Sequence, residues 1–153
     1  MSRVYSLIRE QQLKTSVENA WGFFSDPGNL QSITPSDLGF KVISQPAENM
    51  YAGMLIEYKI RPLFNIPFYW MTEITHVSDK KYFVDEQRFG PYSLWHHQHH
   101  FQENASGVMM KDVVHYKLPF YVIGDAANFL FVGKRLEKIF DHRKKVVEEL
   151  FNS

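Results

Sequence analysis

The run His96-His97-Gln98-His99-His100 is the densest group of titratable side chains in the sequence. Imidazole is the side chain that changes charge near neutral pH, and it is also a common metal ligand. In an extended segment His97 and His99 share one face, while His96, Gln98 and His100 share the other. Two imidazoles at that spacing can meet one metal ion, and an aspartate from a neighbouring strand would complete a crude ligand set. An imidazole bonded to a carboxylate is also the usual pair for general-base chemistry. Two histidines on one strand also arise by chance, so hydrogen-bonded pocket or network histidines are expected here, with no metal and no cofactor.

The same period of two extends to the flanking segments. Phe83, Asp85, Gln87 and Phe89 share a face, as do Trp95, His97, His99 and Phe101. Met110, Asp112, Val114, Tyr116 and Leu118 form a third such set. The apolar members assign these faces to the interior. Asp85, Gln87, His97, His99, Asp112 and Tyr116 must then point inward as well. A buried polar group left unpaired costs roughly 1–3 kcal/mol. Six of them require a structural network, water or a ligand.

Other chemistries have no support. The chain has no cysteine, which removes disulfide frameworks, thiolate metal sites and thiol catalysis. No Gly-x-Ser-x-Gly elbow is present, and the 8 glycines are scattered rather than gathered in a phosphate loop. Lys plus Arg equals Asp plus Glu, 17 each, so the basic excess of a nucleic-acid binder is missing. No apolar run approaches the ~20 residues that span a bilayer. The apolar stretch after Arg3 ends at Arg9-Glu10, too short for a signal-peptide core. These features lead to the expectation of a cytoplasmic protein. Aromatic residues are abundant, 13 Phe, 8 Tyr and 3 Trp, which suggests a wall of rings around something.

The elements that must position these residues follow from hydrophobic period and breakers. Val4 to Leu13 reads as a strand. Ser16 caps a short helix, Val17 to Phe24, and Leu30 to Ile33 forms a second helical turn. Strands follow at Phe40–Ser44, ended by Pro46, then Met54–Ile60, Phe68–Val77, Tyr82–Phe89, Tyr92–Phe101 and Val108–Leu118. Phe129, Val132, Leu136, Ile139, Arg143, Val146 and Leu150 then mark one stripe of a long helix, with Asp125 as its N-cap. Short turns between strands argue for an antiparallel sheet. A sheet of about seven strands curls, and the last helix is the one element long enough to cover its concave face. All of this fits a single α+β domain over residues 1–153.

The sequence resembles the helix-grip fold of the START and birch-pollen-allergen (SRPBCC) superfamily. It is most similar to the bacterial, polyketide-cyclase-like ligand-binding subgroup. The residues concerned are Phe83-Val84-Asp85-Glu86-Gln87, Gly90-Pro91-Tyr92, Trp95-His96-His97-Gln98-His99, Asp112-Val113-Val114-His115-Tyr116, Leu118-Pro119 and Ile139-Phe140-Asp141-His142-Arg143. Gln98 departs from that subgroup, which favours an acidic residue there. The resemblance implies a curved antiparallel sheet gripping the C-terminal helix, two short helices after the first strand, and a hydrophobic cavity between sheet and helix. Members bind lipids, sterols or polyketides, and a minority catalyse cyclisation or dehydration.

Three functions are therefore in view. The first is binding of a small hydrophobic or aromatic ligand. Trp70, Phe83, Trp95, Phe101, Met110, Val114, Phe129 and Val132 would line the cavity. Asp85, Gln87, His97, His99, Asp112 and Tyr116 would orient the ligand's polar end. Arg143, interrupting the apolar stripe, would pair with Asp85, Asp112 or the ligand. The second is a cyclase- or aromatase-type enzyme, with His97, His99 and Asp112 as candidate catalytic groups. The third is a non-enzymatic interaction module. The apolar segments Pro62–Pro67 and Leu118–Gly124 are expected to form the cavity entrance, with a homodimer contact as their other use.

Overall fold

The computed structural model describes residues 3–45, 47–62 and 64–153. Pro46, the expected strand terminator, and Leu63 of the Pro62–Pro67 segment lie outside the described residues. Seven strands form one antiparallel sheet: β1 (Tyr5–Leu13), β2 (Lys41–Val42), β3 (Met54–Ile60), β4 (Phe68–Ser78), β5 (Tyr82–Phe89), β6 (Leu94–Asn104) and β7 (Gly107–Lys117). Their order is β1-β7-β6-β5-β4-β3-β2, so every sequential pair from β2 to β7 is adjacent and β1 closes on β7. Between β1 and β2 lie helix α1 (Val17–Phe24) and two 3₁₀ turns, Pro27–Ile33 and Ser36–Leu38. Ser16 caps α1 by accepting from the Asn19 N–H, as its position before the apolar run predicts.

One rod of helix follows β7. It comprises α2 (Tyr121–Ala127), a π-helical segment (Asn128–Val132) and α3 (Gly133–Phe151). It starts earlier than the sequence suggests. Asp125 lies inside α2, where its carboxylate accepts from the Arg3 N–H and the Tyr5 hydroxyl, and Phe120 occupies the N-cap position. The π-helical turn also displaces the expected stripe. A π turn inserts an extra residue into the helical repeat and so rotates the faces on either side of it. Asn128, Val132, Leu136, Phe140 and Val147 are buried, whereas Phe129 is 81% exposed. The buried Asn128 side chain accepts a hydrogen bond of 2.9 Å from the Tyr116 hydroxyl, which holds this register.

Strand alternation is clean where the sheet meets the helix. Along β6 and β7, Trp95, His97, His99 and Phe101, then Val108, Met110, Asp112, Val114 and Tyr116, are all buried. Phe89 is the exception to the expected β5 face. It is 63% exposed and packs on Tyr69, because the β4–β5 pairing shifts register between Met71 and Thr72 and again between Ile74 and His76. One continuous core joins sheet, α1 and the C-terminal helix, running from Leu7 and Leu13 to Phe140 and Val147.

The β6–β7 hairpin sets the relation between the histidines and Asp112. Its tight turn pairs Asn104 with Gly107, and Gly107 has φ of 124°. A Cβ there would stand 2.1 Å from the Leu13 carbonyl oxygen of β1. Gly107→Ala combines backbone strain of about 1–3 kcal/mol with a clash against main chain. It should lower the urea midpoint with little change in slope, by at least the strain alone. A variant as stable as the parent would show that the hairpin end is not under this constraint.

Candidate functional site

Three adjacent strands carry the site. Asp85 comes from β5, His97 and His99 from β6, and Asp112 from β7. In register, Asp85 stands opposite His97 and His99 stands opposite Asp112. The shortest bonds nevertheless run diagonally. His99 Nε2 lies 2.6 Å from Asp85 Oδ2, and His97 Nε2 lies 2.7 Å from Asp112 Oδ1. The direct neighbours are more distant, 3.5 Å from His97 Nδ1 to Asp85 Oδ2 and 3.2 Å from His99 Nδ1 to Asp112 Oδ1. The last contact is poorly aligned, and His99 Nδ1 remains without a well-formed hydrogen bond. The two rings overlap with centroids 3.7 Å apart. Phe83 stacks on the outer side of His99 at 4.1 Å, and Trp95 Nε1 donates to Asp85 Oδ1 at 3.3 Å.

Burial and mutual charge set the protonation pattern. Burial alone would raise both carboxyls, but the imidazoles overturn this and hold Asp85 and Asp112 below the usual carboxylate range. For His97, burial and then the neighbouring charge of His99 outweigh the aspartates and push its pKa down. For His99, burial opposes the charge, but the Asp112 and Asp85 carboxylates, placed to accept from its ring nitrogens, prevail and raise the pKa. Of the two rings, the site thus favours a proton on His99 and disfavours one on His97. The expectation of an inward, hydrogen-bonded histidine–aspartate network is thus what the strands build.

A cavity of about 160 Å³ lies between the sheet and α3. Trp70, Phe83 and Trp95 line it, with Asp85, His97, His99 and Arg143 on its polar side. The other expected residues take different places. Phe101, Met110, Val114 and Val132 belong to the core but not to this cavity wall. Tyr116 bonds to Asn128, and Gln87 bonds to the Tyr92 main chain through both ends of its amide, closing the Gly90-Pro91 turn. Asp112 stands behind the histidines, on a second cavity of only about 20 Å³. Phe129 points away from both.

Pro62 reaches the cavity wall, whereas the described residues 64–67, 118–121, 123 and 124 are not among the residues that line it. Several wall residues were not among the expected cavity residues, notably Ile56, Tyr58, Thr72, Ile74, Leu136 and Phe140. The strict alternation of β3, with Met54, Ile56 and Tyr58 buried, was the available signal.

Arg143 departs from expectation. It lines both cavities, yet among the described residues it forms no ion pair or hydrogen bond, and its Nε is buried without a partner. The aspartates are already engaged by the histidines. Burial pulls the guanidinium below its ordinary pKa, against the opposing charges of Asp112 and Asp85. Its Cζ sits 4.8 Å from the Phe140 ring centroid, a cation–π contact that replaces part of the lost hydration.

No protein-family model matches the sequence, and no curated protein does. Solved structures do match in fold. A Chromobacterium violaceum protein superposes with a TM-score of 0.74 at 12% identity, over 97% of this chain and 99% of that one. Major latex-like protein 151 from Panax ginseng gives 0.69 at 10% identity, over 97% of each chain. A Mycobacterium smegmatis protein gives 0.67 at 15% identity, over 95% of this chain and 89% of that one. The fold is the helix-grip α+β class, a seven-stranded antiparallel sheet with a long C-terminal helix. At these identities the likeness extends to the fold alone.

The network has two opposed pH limbs. His99, raised in the folded state, contributes stability that is present below its unfolded pKa of ~6.5 and lost as pH rises through the folded value. The depressed carboxyls contribute stability present above ~4 and lost as pH falls. His97, depressed, adds to the acid-side loss below ~6.5. Urea melts from pH 5 to 9 in a chelator should therefore show an alkaline decline. His99→Gln should flatten that limb and leave an acid-side decline in place. An unchanged alkaline limb in this variant would assign the proton to another group.

Proposed function

We propose that the protein binds a small aromatic molecule carrying one acidic or strongly polar oxygen, held in the cavity between the sheet and α3. The observation that supports this is a walled space lined by rings and aliphatic side chains, with one buried guanidinium nitrogen that has no partner. Such a composition, mostly apolar with a few convergent polar groups, is typical of small-molecule pockets. The volume limits the ligand. A cavity of about 150 Å³ accommodates a benzene ring, and the cavity here is about 160 Å³. One ring, or two fused rings after small side-chain shifts, is the size class. A sterol or a long polyketide would require α3 to move away from the sheet.

Trp70 and Trp95 stand on the wall 5.3 Å apart, so their fluorescence reports occupancy. Titration with 2-naphthol or 2-naphthoate should quench it saturably. Ile56 is buried on the same wall, and Ile56→Phe fills the space it faces. That variant should fold and bind at least ~10-fold more weakly, since overpacking a filled site costs about 1–3 kcal/mol. Equal affinity in parent and variant would place the ligand elsewhere. Conversion of the bound compound to a product would favour the enzyme reading, with the histidine–aspartate network in place of Arg143 as the reacting group.

Arg143→Met gives a second, sharper outcome. A buried pair loses stability when one partner is removed, but Arg143 has no partner to strand. The change should leave stability unchanged or raise it. It should weaken 2-naphthoate by roughly 10–100-fold, the worth of a charge-assisted hydrogen bond of about 1.5–3 kcal/mol, and affect a neutral ring much less. Strong destabilisation by Arg143→Met would mean that the guanidinium is paired within the protein and not reserved for a ligand.

A further inference from the structure

We propose that Asp85, His97 and His99 form a site for a divalent transition-metal ion of the zinc class, on the polar wall of the cavity. Histidine spacing by itself does not carry this; the arrangement around the rings does. One ligand atom from each of the three residues falls within 4.8 Å of the others. Asp85 Oδ2 faces His97 Nδ1 at 3.5 Å, close to the ~3.4 Å edge of a tetrahedron with metal–ligand bonds of about 2.0–2.1 Å. Asp85 Oδ2 and His99 Nε2, now 2.6 Å apart, need open by roughly 1 Å to reach that same edge.

The outer contacts are those that metal-binding side chains require. A ligating imidazole almost always gives its second ring nitrogen to a carboxylate, which fixes its tautomer and orientation. Here Asp112 Oδ1 bonds to His97 Nε2 at 2.7 Å, and it lies 3.2 Å from His99 Nδ1, a contact that a small ring rotation would align. The Trp95 indole N–H holds the other oxygen of Asp85. His97 and Asp85 thus each have a bonded group behind them and His99 has a carboxylate within reach, with His97 Nδ1, His99 Nε2 and Asp85 Oδ2 left to converge. Asp85, His97 and His99 line the cavity, and Asp112 does not. Two histidines and one carboxylate leave coordination positions open, the pattern of reactive rather than structural zinc sites. Charge also fits. With neutral imidazoles, Asp85 and Asp112 balance a divalent ion, and Arg143 remains to draw an anionic oxygen towards the open side.

This inference does not rest on the aromatic-ligand reading, because the ion is measured directly and without organic ligand. The chelator-stripped wild-type protein is titrated with Co²⁺, and its visible ligand-field absorption is followed. The expected result is saturation at one ion per chain, displacement by Zn²⁺, and a rise in melting temperature with either ion. Asp112→Asn, which removes only the bracing carboxylate, should weaken the ion by about 10–100-fold. His99→Gln should abolish saturation.

Because these residues are buried, either variant can fail to fold, which circular dichroism reports. The wild type then decides the question through the ring-nitrogen NMR signals of its histidines. Zn²⁺ should shift His97 Nδ1 and His99 Nε2. The half-buried neighbours His96 and His115, on the other side of the sheet and 6.3 Å apart between ring centroids, provide the control. Their joint replacement by Gln should leave Co²⁺ binding intact. Absence of saturable absorption in wild type, loss of binding in the His96/His115 variant, or Zn²⁺ shifts confined to His96 and His115 would each overturn the proposal.

Discussion

Two carboxylates and two imidazoles pointing inward from three neighbouring strands form the constraint around which this molecule is organised. His97, His99 and Asp112 are buried and Asp85 is largely so, and unpaired charge there would cost several kcal/mol per group. Each group is tolerable only because the others are within bonding distance. The β5–β6–β7 register therefore cannot slip. A shift of one residue would turn His97 and His99 outward and bring Gln98 and His100 inward against the aspartates. Long, regular β6 and β7 and the tight turn at Gly107 hold the alignment, while the register irregularities are confined to the β4–β5 edge of the lattice.

The cavity follows from the same constraint. A helix covering a uniformly apolar sheet would settle onto it and exclude all space. Here α3 meets a sheet whose centre is polar and fully occupied by its own pairs. Leu136 and Phe140 pack beside that patch, and Arg143 lies over it. The guanidinium cannot displace the histidines from their carboxylates, since those bonds are short and already satisfy both aspartates. It is retained by the summed field of Asp85 and Asp112 and by the face of Phe140, and the space beside it stays open. The gap between sheet and helix is thus a product of electrostatic pairing as much as of side-chain size.

Most of the fold was legible because its signals are local. The Ser16 cap, the clean alternation of β6 and β7 and the breakers between strands each depend on a few adjacent residues, and the observed elements follow them. The inward set on β6 and β7 was legible for the same reason. Pairing within that set was not. Period-two reading gives a face but no distances, so it could not tell that the aspartates would be taken by the histidines and leave Arg143 without one. Phe89 was misplaced because the β4–β5 irregularities depend on the partner strand. Phe129 was misplaced because a π turn leaves no mark in a hydrophobic stripe, and Val132 and Leu136 belong to both the expected and the observed register.

That π turn exchanges one cost for another. Continuing the α-helix in the expected register would bury Phe129 and expose Asn128, leaving the hydroxyl of buried Tyr116 without its acceptor. The extra residue instead turns Asn128 inward and carries Phe129, Leu130 and Phe131 outward. Phe131 recovers part of its burial against Phe64 at 5.7 Å between ring centroids. Apolar surface in water carries a penalty graded by area, whereas an orphaned buried hydroxyl pays its full desolvation cost. The apolar ridge beside the β7–α2 junction is therefore tied to the interior through the bond between Tyr116 and Asn128, on the same strand that presents Asp112 to the histidines.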